Sequence, residues 1–277
     1  MSPVPGLRHG MHPTNTLFYS DALYYDSNVW VDAGSPVGPV KLNIQISSST
    51  VLGSTDPLIP AMDFSGFDAG SALYLFNFGL IQPKGGFGGG TYLANGAQDS
   101  PWRCTGSGGG GAGTDGGEPG WIPITTAEVT WFVPLNAQGV QGTSLLGGAG
   151  GISPGVPGFD KSIPPDRTNY LYKIVAGDGG DAILLGDASV TILNIDGDIW
   201  AGGGGGGSGG LALIEPGPLG WPDGWTGGAP AQPGEEHPNL FYPPGAPGKA
   251  IRYGGAGSAI FINGGTPPNV LGIIGGG

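Results

Sequence analysis

The chain has 277 residues, of which 61 are glycine and 27 proline, with nine basic residues against 21 acidic ones and a formal net charge of −12. So few cations exclude a phosphate-tracking nucleic-acid binder or a ligand for anionic membranes. The single cysteine, Cys104, excludes an intramolecular disulfide and cysteine-built zinc sites within one chain. Glycine and proline at this level ordinarily signal disorder, but seven Trp, nine Tyr and ten Phe with only 11% charged residues point to a folded, loop-rich protein.

In chain order, the first segment, "MSPVPGLRHGMHPTNTLFYS", lacks the apolar core of a secretory signal. No run of about 18 apolar residues follows anywhere, so no membrane insertion is expected. The expected site of synthesis is a cytoplasm, with lysis as the way out. Short alternating apolar stretches then recur: "PVKLNIQIS", "SALYLFNF", "AEVTWFVPL", "NYLYKIVA", "DAILLGD", "SVTILNI" and "SAIFIN". Each reads as a strand of about five to eight residues bounded by turn chemistry. Glycine and proline interrupt nearly every helical window, so almost no α-helix is expected. The fold class is mainly β, divided into a β-rich attachment region (1–70), a β-rich region with a first glycine motif (71–168) and a glycine-rich distal module (169–277).

Three segments share one pattern: "SALYLFNFGLIQPKGGFGGG", "SVTILNIDGDIWAGGGGGGSGG" and "SAIFINGGTPPNVLGIIGGG". Each has a serine, an alternating strand ending in asparagine (Asn77, Asn194, Asn263), a glycine soon after (Gly79, Gly197, Gly264), an isoleucine (Ile81, Ile199, Ile273) and a glycine run. The Asn–Gly pairing suits a positive-φ turn between two strands. A linker does not predict a repeated lead-in. A glycine run extended at three residues per turn rises about 3.1 Å per residue and turns its N–H and C=O groups sideways. Runs without Cβ atoms can approach to about 4.8 Å and satisfy one another's backbone groups. Residues 202–207 are therefore expected to be extended and laterally bonded. Collagen is excluded because glycine does not hold every third position.

These segments, together with "GAPGKAIRYGGAGSAIFINGG", resemble the glycine-rich modules of bacteriophage tail-tip and tail-fibre adhesins. The resemblance is close over residues 170–277 and looser over 71–117. It implies polyglycine II-like helices carrying loops that meet a host receptor. The partners it implies are other phage tail proteins in a multi-subunit assembly and a bacterial surface receptor, either an outer-membrane protein or a surface glycan. The localisation it implies is the virion tail. A purely structural tail, baseplate or decoration protein is the first alternative, and a glycan-cleaving tail enzyme or an ice-binding or cell-wall protein are others. For ice binding, no regular array of small residues on one face is evident.

No enzyme and no cofactor are expected. The strings "GISPG" around Ser153 and "GGSGG" around Ser208 lack the strand–turn–helix setting of a nucleophile elbow. Glu235 and Glu236 lack an opposed carboxylate at a readable separation, and no glycine run carries the Lys-Ser/Thr of a phosphate loop. His9 and His12 sit near the start of the chain. "AGDGGDAIL" offers Asp178 and Asp181 as calcium candidates, but the next nine residues do not continue the repeat, and turn formation is the preferred reading. The receptor-contact candidates are aromatic and polar residues on Pro/Gly-rich sequence: Trp221, Asp223, Trp225, Phe241 and Tyr242, helped by Tyr92, Trp102 and Arg103. Loops carry function on rigid scaffolds, and aromatic rings anchor binding at low entropy cost. The same rings could instead shield a glycine core.

Overall fold

The computed structural model describes residues 15–94, 103–104, 110–117, 124–125, 130–131, 141–147, 170–174, 176–205, 227–234, 244–263 and 270–276. The chain divides into two compact units: Met1–Pro83, Asp181–Trp200 and Lys249–Gly277 form the first, and Lys84–Gly180 with Ala201–Gly248 the second. This is not the linear division at 70 and 168 read from the sequence. The strand of each repeat belongs to the first unit, and the glycine runs after Ile81 and Ile199 belong to the second.

Strands come in sets of three. β1 (Thr16–Tyr19), β2 (Leu23–Tyr25) and β3 (Ser27–Asn28) make the first rung, followed by the one-turn helix α1 (Val29–Asp32). β4 (Lys41–Ile46), β5 (Val51–Gly53) and β6 (Met62–Asp63) make the second. β7 (Ala72–Asn77) and β8 (Leu80–Ile81) open the third. The chain then forms β9 (Gly90–Ala94), β10 (Arg103–Cys104), β11 (Ile124–Thr125), β12 (Thr130–Trp131) and β13 (Tyr170–Ile174) in the second unit, and completes the third rung with β14 (Ile183–Leu185). β15 (Ser189–Asn194), β16 (Asp198–Trp200) and β17 (Lys249–Tyr253) are the fourth, the last two again separated by an excursion into the second unit. β18 (Ala259–Asn263), β19 (Val270–Leu271) and β20 (Ile273–Gly276) are the fifth.

Equivalent strands stack into three five-stranded sheets, ordered β1-β4-β7-β15-β18, β2-β5-β8-β16-β19 and β3-β6-β14-β17-β20. Every pair in them is parallel. Visiting three parallel sheets in turn, five times, makes a three-sided β-solenoid. Parallel neighbours need a long crossover, and here the other two sides of each rung supply it. The mainly β expectation holds, with one short helix among the described residues.

Alternation explains the core. Leu42, Ile44 and Ile46 of "KLNIQI", Leu73 and Leu75 of "ALYLFN", and Val190 and Ile192 of "SVTILN" all point inward and are buried. Register stacks them in columns: Leu17–Ile44–Leu75–Ile192 on the first side, Tyr24–Leu52–Ile81–Ile199 on the second and Met62–Ile183–Ile251 on the third. Burying each such side chain stabilises by about 1.5–3 kcal/mol.

The asparagines of the repeat occupy one column. Asn77 pairs in register with Asn194, and Asn194 with Asn263. Asn77 and Asn194 are fully buried, and Asn77 Nδ2 donates to Asn194 Oδ1 at 2.7 Å. Asn77 Oδ1 accepts the Gly79 N–H at 3.1 Å. The sequence reading of a positive-φ turn between the two strands is corrected here. β7 and β8 lie in different sheets, so the Asn–Gly segment is a solenoid corner. Gly79 does not adopt positive φ, and glycine is needed because a Cβ would overlap the Thr50 and Ser47 carbonyl oxygens. The isoleucine position is corrected too: Val270, not Ile273, stands in register with Ile199.

In the second unit the glycine segments satisfy each other. Gly180 donates its N–H to Lys84 O, Gly202 to Gly180 O and Gly248 to Gly202 O. Three residues along, Gly177 donates to Phe87 O, Gly205 to Gly177 O, Gly245 to Gly205 O and Gly234 to Gly245 O. Between them Gly203 is bonded to Ala112 and Gly86, and Gly204 to Gln232 and Gly228. Residues 202 and 205 thus face the same two neighbours, and 203 and 204 face others. The period is three residues. Segment 201–205 is surrounded by 84–89, 110–112, 176–180, 244–248 and both limbs of 227–234. A Cβ on Gly203, Gly204 or Gly205 would overlap the Gly228, Gly245 or Phe87 carbonyl, and none of the three has positive φ. Glycine is required here for closeness, not for backbone freedom. Residues 206 and 207 lie outside the described residues.

Two outcomes are expected. Gly204→Ala drives a methyl into backbone that cannot yield, so its cost in urea unfolding is expected at the upper end of overpacking, about 3 kcal/mol or more. Ala246→Ser, on the exposed side of a neighbouring segment, is expected to stay within about 0.5 kcal/mol. Equal effects would remove close approach as the reason for glycine. The second outcome concerns Asp198, whose carboxyl is raised above its ordinary value by burial. The folded chain then holds that proton more tightly than the unfolded chain, so this group's stability contribution falls as pH rises through the window between the two pKa values. Asp198→Asn is therefore expected to raise the melting temperature near pH 7 and to lose that gain near pH 3. A gain equal at both pH values would exclude titration of Asp198 as its source.

Candidate functional site

The hydrogen-bond rows give the lattice two distinct ends. Residues 84 and 180, 201 and 248 continue directly into the first unit, and Lys84, Gly180, Gly202 and Gly248 share one row. Phe87, Gly177, Gly205, Gly245 and Gly234 share the row at the other end. Tight turns lie on the first side. The turn at 229–232 is closed by Gln232 N–H to Ala229 O and tied to Ala201 O by the Ala231 N–H. The turns at 113–116 and 143–146 are closed by Gly116 N–H to Gly113 O and Thr143 N–H to Leu146 O. The bonds Gly111 to Gly86, Gly117 to Gly111 and Gly142 to Gly117 place those limbs in the same sense. Consequently the five intervening stretches, 90–109, 118–140, 148–175, 206–226 and 235–243, all leave from and return to the second end.

The residues chosen from the sequence belong to three of these stretches. Trp221, Asp223 and Trp225 belong to 206–226, Phe241 and Tyr242 to 235–243, and Tyr92, Trp102 and Arg103 to 90–109. The first two stretches start from Gly205 and Gly234, which Gly245 links within one row. Trp221, Asp223, Trp225, Phe241, Tyr242 and Trp102 lie outside the described residues. Tyr92 sits on β9 in register with Cys104 of β10 and Tyr172 of β13, and Arg103 in register with Leu93. β9 and β13 extend the 84–89 and 176–180 pair, since Ile174 pairs with Gly90 as Gly177 bonds to Phe87. Phe87 on the end row is exposed, and sequence reasoning missed it. The signal was a lone bulky residue inside "GGFGGG": a side chain there must point out of the lattice.

The calcium candidates are occupied by the protein itself. Asp178 Oδ1 accepts the Ala246 N–H at 2.8 Å, and Asp181 Oδ1 accepts the Lys249 N–H at 2.7 Å. Asp187 Oδ1 takes the Ala256 N–H at 2.8 Å in the same manner. Asp181 Oδ2 also lies 2.9 Å from Arg252 Nε, as a close ion pair rather than an aligned hydrogen bond. Each carboxylate ties its segment to the one 68 or 69 residues later. Among the described residues no cluster of three or more metal-ligating side chains occurs, and no helix is long and apolar enough to cross a membrane.

No family model matches the chain, and no curated protein matches it. Among solved structures it is similar to the gp37-gp38 adhesin tip complex of the bacteriophage S16 long tail fibre, with 15% identity and a TM-score of 0.45 over 94% of this chain and 82% of that one.

Because Asp178 and Asp181 already hold backbone amides, millimolar calcium is expected to leave the melting temperature unchanged. Asp181→Ala is expected to cost about 1–3 kcal/mol by stranding the Lys249 N–H. A calcium-dependent rise in melting temperature that Asp178→Ala abolishes would restore the metal reading.

Proposed function

We propose that this protein is a non-enzymatic bacteriophage tail-tip adhesin whose second unit is a polyglycine II lattice presenting receptor-binding loops. One observation carries the reading: the lattice returns all five intervening stretches to one end, and the aromatic candidates fall on three of them. A lattice built from backbone has few side chains with which to discriminate a partner, so discrimination passes to what it carries. The three-residue period of the lateral bonds supports the polyglycine II geometry. The sequence resemblance to tail-tip adhesin modules supports the viral setting, and the receptor would be an outer-membrane protein or surface glycan. Trp221, Trp225, Phe241 and Tyr242 supply the aromatic anchors, with Asp223 and Arg103 as polar partners. The structural tail-protein reading predicts instead that these rings only cover neighbours.

Purified protein is expected to block phage adsorption to host cells. Truncating a hot-spot aromatic costs about 2 kcal/mol or more, roughly thirtyfold in affinity, so Trp225→Ala with Tyr242→Ala is expected to weaken blocking by at least that factor at unchanged melting temperature. Undiminished blocking by the folded double variant would move these rings to a covering role and favour the structural reading.

A further inference from the structure

The outer faces of the three sheets are not alike. Two of them carry charge at outward positions. Asp198 stands in register with Leu80 on one, and Asp63 and Arg252 stand in register on either side of Leu184 on the other. The sheet β1-β4-β7-β15-β18 has the longest strands. Its strands contain one charged residue, Lys41, and no carboxylate, in a chain of net charge −12.

Outward residues alternate with the buried ones and stack in two columns. Phe18, Gln45 and Phe76 stand in register along one, and Asn43, Tyr74 and Thr191 along the other. Phe18 is 37% and Tyr74 40% exposed, and the other four are partly exposed. Tyr74 and Phe76 lie two residues apart on the central strand, a rise of about 6.6 Å. Polar, uncharged groups border both rings across the sheet: Asn43 and Thr191 beside Tyr74, Gln45 beside Phe76. The side chains of Asn43, Gln45 and Thr191 make no hydrogen bond to another described residue. Beneath them Ile44, Leu75 and Ile192 are fully buried, so the face rests on a packed column and is fixed before any partner arrives.

We propose that this face binds an extended, neutral chain of pyranose sugars lying along the solenoid axis, across the strands. Aromatic rings offer flat apolar area to the C–H faces of a sugar. Amide and hydroxyl groups donate to and accept from the sugar hydroxyls around its rim. An extended pyranose chain advances by roughly one strand spacing per sugar, about 4.8 Å, so successive sugars meet successive strands. Charge selects the neutral class. Lys41 alone on this face could pair an anionic sugar, and the acidic protein around it repels one. Size argues against a second copy of the chain. Four strand spacings of about 4.8 Å by five rises of about 3.3 Å give roughly 300 Å², whereas a stable interface takes about 800 Å² from each partner. The site lies on the first unit and does not rest on the reading of the second as a receptor-binding lattice.

The test is calorimetric titration of the purified full-length protein with cellohexaose, mannohexaose and maltohexaose, and with hexagalacturonic acid as the charged comparison. At least one neutral hexamer is expected to bind with a sub-millimolar Kd, and hexagalacturonic acid at least tenfold more weakly. Tyr74→Ala is expected to weaken the neutral hexamer at least tenfold at unchanged melting temperature. Leu23→Ala, at an exposed position of β2 on another sheet, and the Trp225→Ala with Tyr242→Ala variant are expected to keep the wild-type affinity. If Tyr74→Ala does not fold, Phe18→Ala decides by the same criterion. Absence of binding by all three neutral hexamers overturns the proposal. Equal or tighter binding of hexagalacturonic acid overturns the neutral class. Binding lost in the Trp225, Tyr242 variant but kept in Tyr74→Ala overturns this face in favour of the carried stretches. A wild-type dimer dissociated by Tyr74→Ala, with no sugar bound, overturns it in favour of a contact between copies. The adhesin reading survives each of these results, because blocking of adsorption tests it separately.

Discussion

The lateral N–H···O=C bond between glycine segments is the contact on which the second unit depends, and it exists only where two chains can approach without Cβ atoms. Gly205 shows the constraint. Its N–H reaches Gly177 and its C=O takes the Gly245 N–H, while the Phe87 carbonyl occupies the space a Cβ would need. Buried backbone groups must be paired, and an apolar side chain cannot pair them, so a lattice of this kind is either glycine throughout its interior or absent. Fixing glycine costs more conformational entropy than fixing any other residue. That cost is met collectively. Donors in one row all point the same way, from Gly234 through Gly245, Gly205 and Gly177 to Phe87, and such rows strengthen cooperatively.

Coordination explains why some runs are pure and others interrupted. Segment 201–205 has neighbours on all sides and tolerates nothing larger than glycine after Ala201. Segments at the margin keep one free direction. Segment 176–180 spends it on Asp178, 84–89 on Phe87 and 244–248 on Ala246 and Pro247. These interrupted runs surround the pure one. They are its boundary, and their non-glycine residues mark the directions that face outward.

Much of this was legible, though not as architecture. The Ser–strand–Asn repeat is real and is the first side of rungs three to five, where Asn77, Asn194 and Asn263 stack in register. The solenoid itself stayed hidden for physical reasons. Rungs one and two place Tyr19 and Ile46 where the later rungs place asparagine, because a buried column accepts any side chain that fills or satisfies it. Rungs three and four are each interrupted by an excursion, so their third strands, β14 and β17, lie far along the chain from the first two. The stretch 264–269 shifted the apparent isoleucine from Val270 to Ile273. The Asn–Gly signal was read as a positive-φ turn between two strands, when the fold required a corner between two sheets. Composition alone picked out the aromatic stretches, and the hydrogen-bond rows add only that the residues flanking two of them, Gly205, Gly234 and Gly245, share one row.

Two scaffolds with opposite demands on sequence meet in one chain. The solenoid needs side chains of the right volume at every inward position, so its rungs hold a pattern but allow exchange within it. The lattice needs no side chains and allows none inside. Its rows fix the residues flanking two of the intervening stretches through backbone bonds alone, at Gly205 and Gly228, Gly234 and Gly245. None of those bonds uses a side chain, whereas a Cβ at Gly204 would overlap the Gly245 carbonyl. Filling a core and fixing the ends of a segment are thus separate tasks, one done by side chains and the other by backbone.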